Sequence, residues 1–167
     1  MERYIAIDNV CAWANLTTLA DGTIVATIFN QPTHLRWPGD VECWASTDGG
    51  YLWTRRSQVT VHDPNTSRGN VAAGLTHEGA LTVIVSGWSY KGEAVVGQPG
   101  QLDQVLEPWV CRSTDGGYTW TISKDAVALP EGAQAIIPFG DIERSPDGTL
   151  GVTVYSWNTR QSDICSA

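Results

Sequence analysis

The 167 residues carry 10 lysines and arginines against 18 aspartates and glutamates, for a net charge of −8, with hydrophobic residues at 42% and charged residues at 17%. That balance fits one globular domain and excludes a disordered chain, and the lack of any basic run opposes a nucleic-acid partner, because phosphate binding needs a positive face. No apolar stretch approaches the roughly 20 residues of a membrane span, and Met1–Tyr4 leads into strand-like sequence without a signal peptide, so the default compartment is the cytoplasm.

In chain order, Arg3–Ile7 reads as a short strand and Asp8-Asn9 as a turn. Val10–Thr18 is a second strand, closed by the turn Ala20-Asp21-Gly22. Thr23–Asn30 is a near-continuous apolar run, which suits a strand covered on both faces. A polar loop containing prolines follows from Gln31 to Asp40. Val41–Thr47 and Tyr51–Arg56 are strands around a tight Asp-Gly-Gly turn. After a loop over Ser57–Asn70 the pattern repeats: Val71–Thr76, the turn His77-Glu78-Gly79, then Ala80–Gly87. The long loop Trp88–Glu107 contains Gln101–Glu107, which is expected to form one or two helical turns. Pro108–Thr114 and Tyr118–Ser123 flank a second Asp-Gly-Gly turn. Beyond the loop Lys124–Gly140, Asp141–Ser145, the turn Pro146-Asp147-Gly148 and Thr149–Trp157 open a third unit. Asn158–Ser162 is a loop, and Asp163–Ala167 begins one more strand.

The two Asp-Gly-Gly turns belong to one repeated octapeptide, Ser46-Thr47-Asp48-Gly49-Gly50-Tyr51-Leu52-Trp53 and Ser113-Thr114-Asp115-Gly116-Gly117-Tyr118-Thr119-Trp120. Only Leu52 and Thr119 differ. Glycine accepts the positive φ that such turns need. Asp48 and Asp115 can fold back onto turn amides, Ser46 and Ser113 can add a polar contact, and Trp53 and Trp120 are large enough to wedge between sheets. These residues therefore read as structural. Self-similarity at this spacing points to a repeat architecture.

The pattern Ser-x-Asp-x-Gly-x-Thr-Trp is the Asp-box, or BNR repeat; the second copy matches it fully and the first lacks only the threonine. The chain thus resembles the sialidase (neuraminidase) superfamily, whose fold is a six-bladed β-propeller. The resemblance implies an all-β, sialidase-like partial propeller of about two and a half four-stranded antiparallel blades. Blade 1 would cover about 10–56, blade 2 about 71–123, and the start of blade 3 about 141–167. Residues 3–7 would be the outer strand of a preceding or closing blade. Two and a half blades cannot close a ring, which implies a piece of a longer chain, or, as a rival, a dimer of half-propellers associating through open blade edges.

In this superfamily the active site lies opposite the Asp-boxes, among the loops. The densest polar stretch there is Gln31–Glu42. Asp40 sits in the loop that carries the acid in sialidases, and it is also placed to cap the following strand. Glu42, two residues on, shares its side of a strand; two carboxylates flanking a sugar can run glycoside hydrolysis. His34, Arg36 and Arg68 are the candidate substrate-binding residues, with Arg160 a third arginine for an anion clamp. Trp37, Trp88 and Trp109 are placed either to stack on a sugar or to pack. Glu143 is expected to point toward the axis, and Tyr155 has no base placed to activate it. The Arg-Ile-Pro motif of the first strand is replaced around Ala12, which removes a guanidinium fork that no nearby lysine supplies.

Two functions follow. One is a sialidase-like, exo-α-sialidase-type retaining glycoside hydrolase acting on glycans, with the isolated chain expected to be inactive because later arginines and a tyrosine are missing. The other is a non-catalytic Asp-box propeller that binds carbohydrate or protein. His34, His62 and His77 lack metal-ligand spacing, so neither metal nor cofactor is expected. Cys11, Cys43, Cys111 and Cys165 read as small buried hydrophobes.

Overall fold

The computed structural model describes residues 3–157. It contains ten strands: β1 (Cys11–Thr18), β2 (Ile24–Phe29), β3 (Val41–Ser46), β4 (Thr54–Gln58), β5 (Thr66–Leu75), β6 (Leu81–Lys91), β7 (Gln101–Ser113), β8 (Thr121–Ser123), β9 (Ala135–Arg144) and β10 (Leu150–Trp157). The first sheet runs β1-β2-β3-β4 and the second β10-β9-β5-β6-β7-β8. All neighbours are antiparallel except β5 and β9, which run parallel at Ala72–Gly140 and Ala73–Asp141. The second sheet is therefore an antiparallel four-stranded blade, β5–β8, with the hairpin β9–β10 attached along its first strand. The whole is an all-β arrangement of one four-stranded blade, a second one, and the hairpin that opens a third.

The sequence dictates where the blades meet. The apolar run of β2 is buried from Val25 to Phe29. Val25, Val41, Cys43 and Ala45 of the first sheet pack against Val71, Ala73, Leu81, Val83, Val85, Trp109 and Cys111 of the second. Fully burying one valine or leucine is worth about 1.5–3 kcal/mol, so this seam binds the first sheet firmly to the second. Burial pushes the thiols of Cys43 and Cys111 up to about 12, leaving both as inert packing groups.

Strand alternation sorts the connections by end. The turns at 19–23, 76–80 and 145–149 close with the same backbone bond, Leu19 N–H to Thr23, Thr76 to Ala80 and Ser145 to Thr149. They share one end with both Asp-Gly-Gly hairpins. The longer connections, 30–40, 59–65, 92–100 and 124–134, lie at the other; Gly39 bridges Ser67 and ties the first of them to the start of β5.

Several expectations are corrected. Residues 3–7 form no strand; Tyr4 instead stacks on Tyr51 and donates from its hydroxyl to the Gly50 carbonyl at 2.8 Å. Gln101–Glu107 is strand, not helix, because Leu102, Val105 and Leu106 pair with Tyr90, Trp88 and Gly87 of β6. A seven-residue helix is marginal alone, and a waiting partner strand overrides it. Strand β5 begins at Thr66 and β9 at Ala135, inside stretches read as loops. Among the described residues no helix is long and apolar enough to cross a membrane. The loop Asn158–Ser162, the strand Asp163–Ala167, Arg160 and Cys165 lie outside the described residues.

Candidate functional site

The hairpin end is closed on itself. In the first hairpin Asp48 Oδ1 accepts from the Ser46 hydroxyl at 2.8 Å and from the Tyr51 and Leu52 amides at 3.0 Å. Ser46 Oγ accepts in turn from the Gly50 amide. The second hairpin repeats this with Asp115, Ser113, Gly117, Tyr118 and Thr119, and adds the Thr119 hydroxyl on Asp115 Oδ2 at 2.6 Å. These bonds hold both carboxyls below the ordinary aspartate range. The main cause is the Leu52 amide for Asp48 and the Thr119 hydroxyl for Asp115. Both acids are engaged by their own turn.

At the opposite end the loop 30–40 is clamped from several sides. Asn30 and Asp40 bond reciprocally at 2.9 Å. The Arg68 amide donates to the Gly39 carbonyl, the Gly100 amide to Arg36, and the Tyr90 hydroxyl to Trp37 at 2.7 Å. Tyr90 is on β6 and Gly100 precedes β7, so the unexpectedly long β6–β7 hairpin is what braces this loop. His34 and Arg36 stand exposed at its crest. Burial, with the Arg36 charge beside it, lowers the basicity of His34.

The two carboxylates expected to do chemistry are both held by neighbouring side chains. Asp40 is 3% exposed. Its Oδ1 accepts from the Thr60 hydroxyl at 2.8 Å; its Oδ2 accepts from Gln58 Nε2 at 3.0 Å and lies 2.7 Å from His62 Nδ1. Thr60 also accepts from the Val41 amide, so Asp40 ties the end of β4 to the start of β3. Glu42 pairs with Arg55 at 2.8 Å and accepts from Trp44 Nε1 at 2.9 Å. Arg68 is on β5 rather than in a loop and is 4% exposed. Its guanidinium lies 3.8 Å over the Trp109 ring and donates to the Glu107 carbonyl, and burial lowers its pKa to about 10. Arg68 and buried Trp109 thus occupy each other; Trp37 and Trp88 are half-buried. The structure brings His34 and Arg36 together, and separates them from the roles of Asp40, Glu42 and Arg68.

The group that sequence reasoning missed surrounds Trp13. Strand β1 pairs Cys11 with Phe29 but Asn15 with Thr27, so residues 12–14 form a bulge. At its centre Trp13 has φ 66°, a left-handed backbone that costs a bulky residue about 1–3 kcal/mol. The indole is nonetheless 56% exposed. It meets His34 edge-on at 4.3 Å and Phe139 at 5.9 Å, and Phe139 meets Tyr155 at 5.1 Å. Beside these rings lies a cleft of about 420 Å³ between Trp13–Leu16 and Phe139–Asp141. The one available signal was a large aromatic next to Ala12, where the superfamily motif fails. The bulge itself leaves no mark in the hydrophobic period.

No known protein family matches the sequence, and no curated protein does. Solved structures do match. The Hadza microbial sialidase Hz136 is 20% identical at a TM-score of 0.65 over 85% of this chain and 31% of its own. A protein of unknown function from Dyadobacter fermentans is 16% identical at 0.65, over 84% and 45%. The α-L-arabinofuranosidase Arb93A from Fusarium graminearum, 24% identical over 80% and 38%, has a TM-score of 0.43 and is too distant to bear on this chain. The chain therefore spans less than half the length of each. At these identities the likeness establishes the fold, a sialidase-like propeller.

Proposed function

We propose that the chain is part of a sialidase-like propeller that engages glycans at the end carrying Gln31–Asp40. In this reading the two Asp-Gly-Gly hairpins are Asp-boxes that brace the opposite end, and blades occupy about 10–56, 71–123 and 141–167. The observation that carries it is the clamped loop: Asn30, Arg68, Tyr90 and Gly100 fix its backbone while His34 and Arg36 are left exposed at its crest. Irregular loops held rigidly by a regular scaffold are where binding residues gather. The sialidase among the structural neighbours supplies the ligand class.

Two forms of this reading differ in the role of Asp40. In the hydrolytic form, an exo-α-sialidase-type hydrolase, Asp40 is the acid and Glu42 its companion. The burial of Asp40 under Gln58, Thr60 and His62 favours the other form, a propeller that binds carbohydrate without cleaving it, with Asp40 as a structural staple. The test assays the intact protein that carries this chain, and its Asp40→Asn variant, with a fluorogenic α-sialoside, on a glycan array, and by denaturation. The binding form expects retained glycans, no turnover in either protein, and a loss of about 1–3 kcal/mol of stability in the variant, the cost of disturbing a buried hydrogen-bonded group. Turnover that vanishes in Asp40→Asn at unchanged stability would establish the hydrolytic form. Retention of no glycan at all would remove both.

A further inference from the structure

We propose that the cleft between β1 and β9 is a subsite for an uncharged sugar, with Trp13 as its stacking platform and Asp141 as the acceptor for its hydroxyls. This rests on the glycan-binding reading above and names the class of sugar taken. Both strands that line the cleft break register there. Residues 12–14 bulge from β1, and in β9 Gly140 and Asp141 stand between Phe139, paired with Thr153, and Ile142, paired with Val152. Bulges re-aim side chains and are common beside working sites. Here they turn an indole and a carboxylate toward one space instead of into the core.

The polar side of the cleft is also arranged. Asn15, 7% exposed, donates from its amide to the Gly140 carbonyl and, at 3.3 Å, to Asp141 Oδ1. That contact orients a carboxylate that is itself exposed. An ionised carboxylate only accepts, so it suits hydroxyl donors. An open aromatic ring beside oriented acceptors matches the two surfaces of a sugar, a face of C–H bonds and a rim of hydroxyls.

The charge of the cleft selects against an acidic sugar. Among the described residues its lining contains Asp141 and no lysine or arginine. Arg36 stands beside His34, which meets Trp13 edge-on, and is not itself among the residues lining the cleft. A carboxylated sugar placed here would face the Asp141 carboxylate, and none of the described lining residues offers it a guanidinium.

The experiment measures binding of the chain to lactose, cellobiose and arabinobiose, and to sialyllactose, by saturation-transfer NMR and calorimetry. At least one neutral sugar is expected to bind more tightly than sialyllactose. Trp13→Ala should weaken that binding about tenfold or more, with Trp13→Tyr retaining most of it. Asp141→Asn should weaken it less and admit sialyllactose. Near-ultraviolet circular dichroism checks the fold of each variant, and Asp141→Asn, at an exposed site, serves if Trp13→Ala fails to fold. Preference for sialyllactose, or neutral-sugar binding untouched by the Trp13 and Asp141 variants, overturns this subsite and leaves glycan binding standing. Silence toward every saccharide overturns both.

Discussion

The two Asp-Gly-Gly hairpins share seven of eight residues and the same bonds from serine and the turn amides to the aspartate, yet they are embedded differently. Trp53 donates from its indole to Gly50 of its own turn at 2.8 Å, and Tyr51 is touched only by Tyr4 from the opening segment among the ring contacts described. Trp120 donates instead to Ser57 Oγ of the preceding sheet at 2.9 Å. Ser57 and Arg56 return bonds to the Gly117 and Gly116 carbonyls, and the Arg56 guanidinium sits 4.7 Å over the Tyr118 ring. One octapeptide thus encodes its own turn in both places. The second copy is in addition a staple between blades, because the sheet before it presents Arg56 and Ser57.

The largest test of that difference is a single methyl group. Gly117 and Gly50 both have positive φ, 94° and 96°. A Cβ on Gly117 would fall on Cys43 Sγ, whereas one on Gly50 meets only the Trp53 ring edge at 3.9 Å. Gly117→Ala is expected to cost about 2–4 kcal/mol, combining backbone strain with overpacking. Gly50→Ala is expected to cost about 1–2 kcal/mol from strain alone. Urea unfolding of both variants measures this. Equal losses would mean that the second hairpin is no more embedded than the first.

A smaller effect isolates the staple. Ser57→Ala removes the acceptor for Trp120 Nε1 and the donor to Gly117, and should cost about 1–2 kcal/mol, since both groups are partly buried. Trp120→Phe should then cost little more in the Ser57→Ala background than it does through lost packing alone. A double-mutant cycle reads the coupling directly, and no coupling would place Trp120 in the first hairpin's class.

These contrasts also mark what could be read from sequence. The turns were legible because their chemistry is local: Asp, Gly and Ser satisfy each other within five residues. So was the buried character of β2, carried by its own apolar run. The partners of Asp40 were not, because Gln58, Thr60 and His62 come from the end of β4 and the loop after it, and their approach depends on strand register. Arg68 looked like loop charge until β7 set Trp109 under it. Gln101–Glu107 looked helical because most of its partner segment, Trp88 to Lys91, was itself read as loop. Trp13 was hidden by a bulge, which is a property of pairing with β2 and not of the segment.

The smallest expected effect concerns the one position at which the octapeptides differ. Thr119 adds a hydroxyl to Asp115 that Leu52 cannot add to Asp48, and it is the leading reason the Asp115 carboxyl is so acidic. A carboxyl whose pKa is lower in the folded than in the unfolded chain stabilises the fold above the unfolded value, about 3.9 for aspartate, and loses that contribution as pH falls through the folded value. Both hairpins should therefore steepen the loss of stability in acid, the second over a wider range. Thr119→Leu should lower the melting temperature slightly at neutral pH and flatten the acid limb below about pH 4. Leu52→Thr should do the reverse at the first hairpin, where the Asp48 carboxyl has no hydroxyl from that position to accept. Melting curves recorded from neutral pH down into the acid range decide it. If the two swaps leave the acid limb unchanged, the turn amides alone set both carboxyls, and the hairpins differ only in what the neighbouring sheet brings to them.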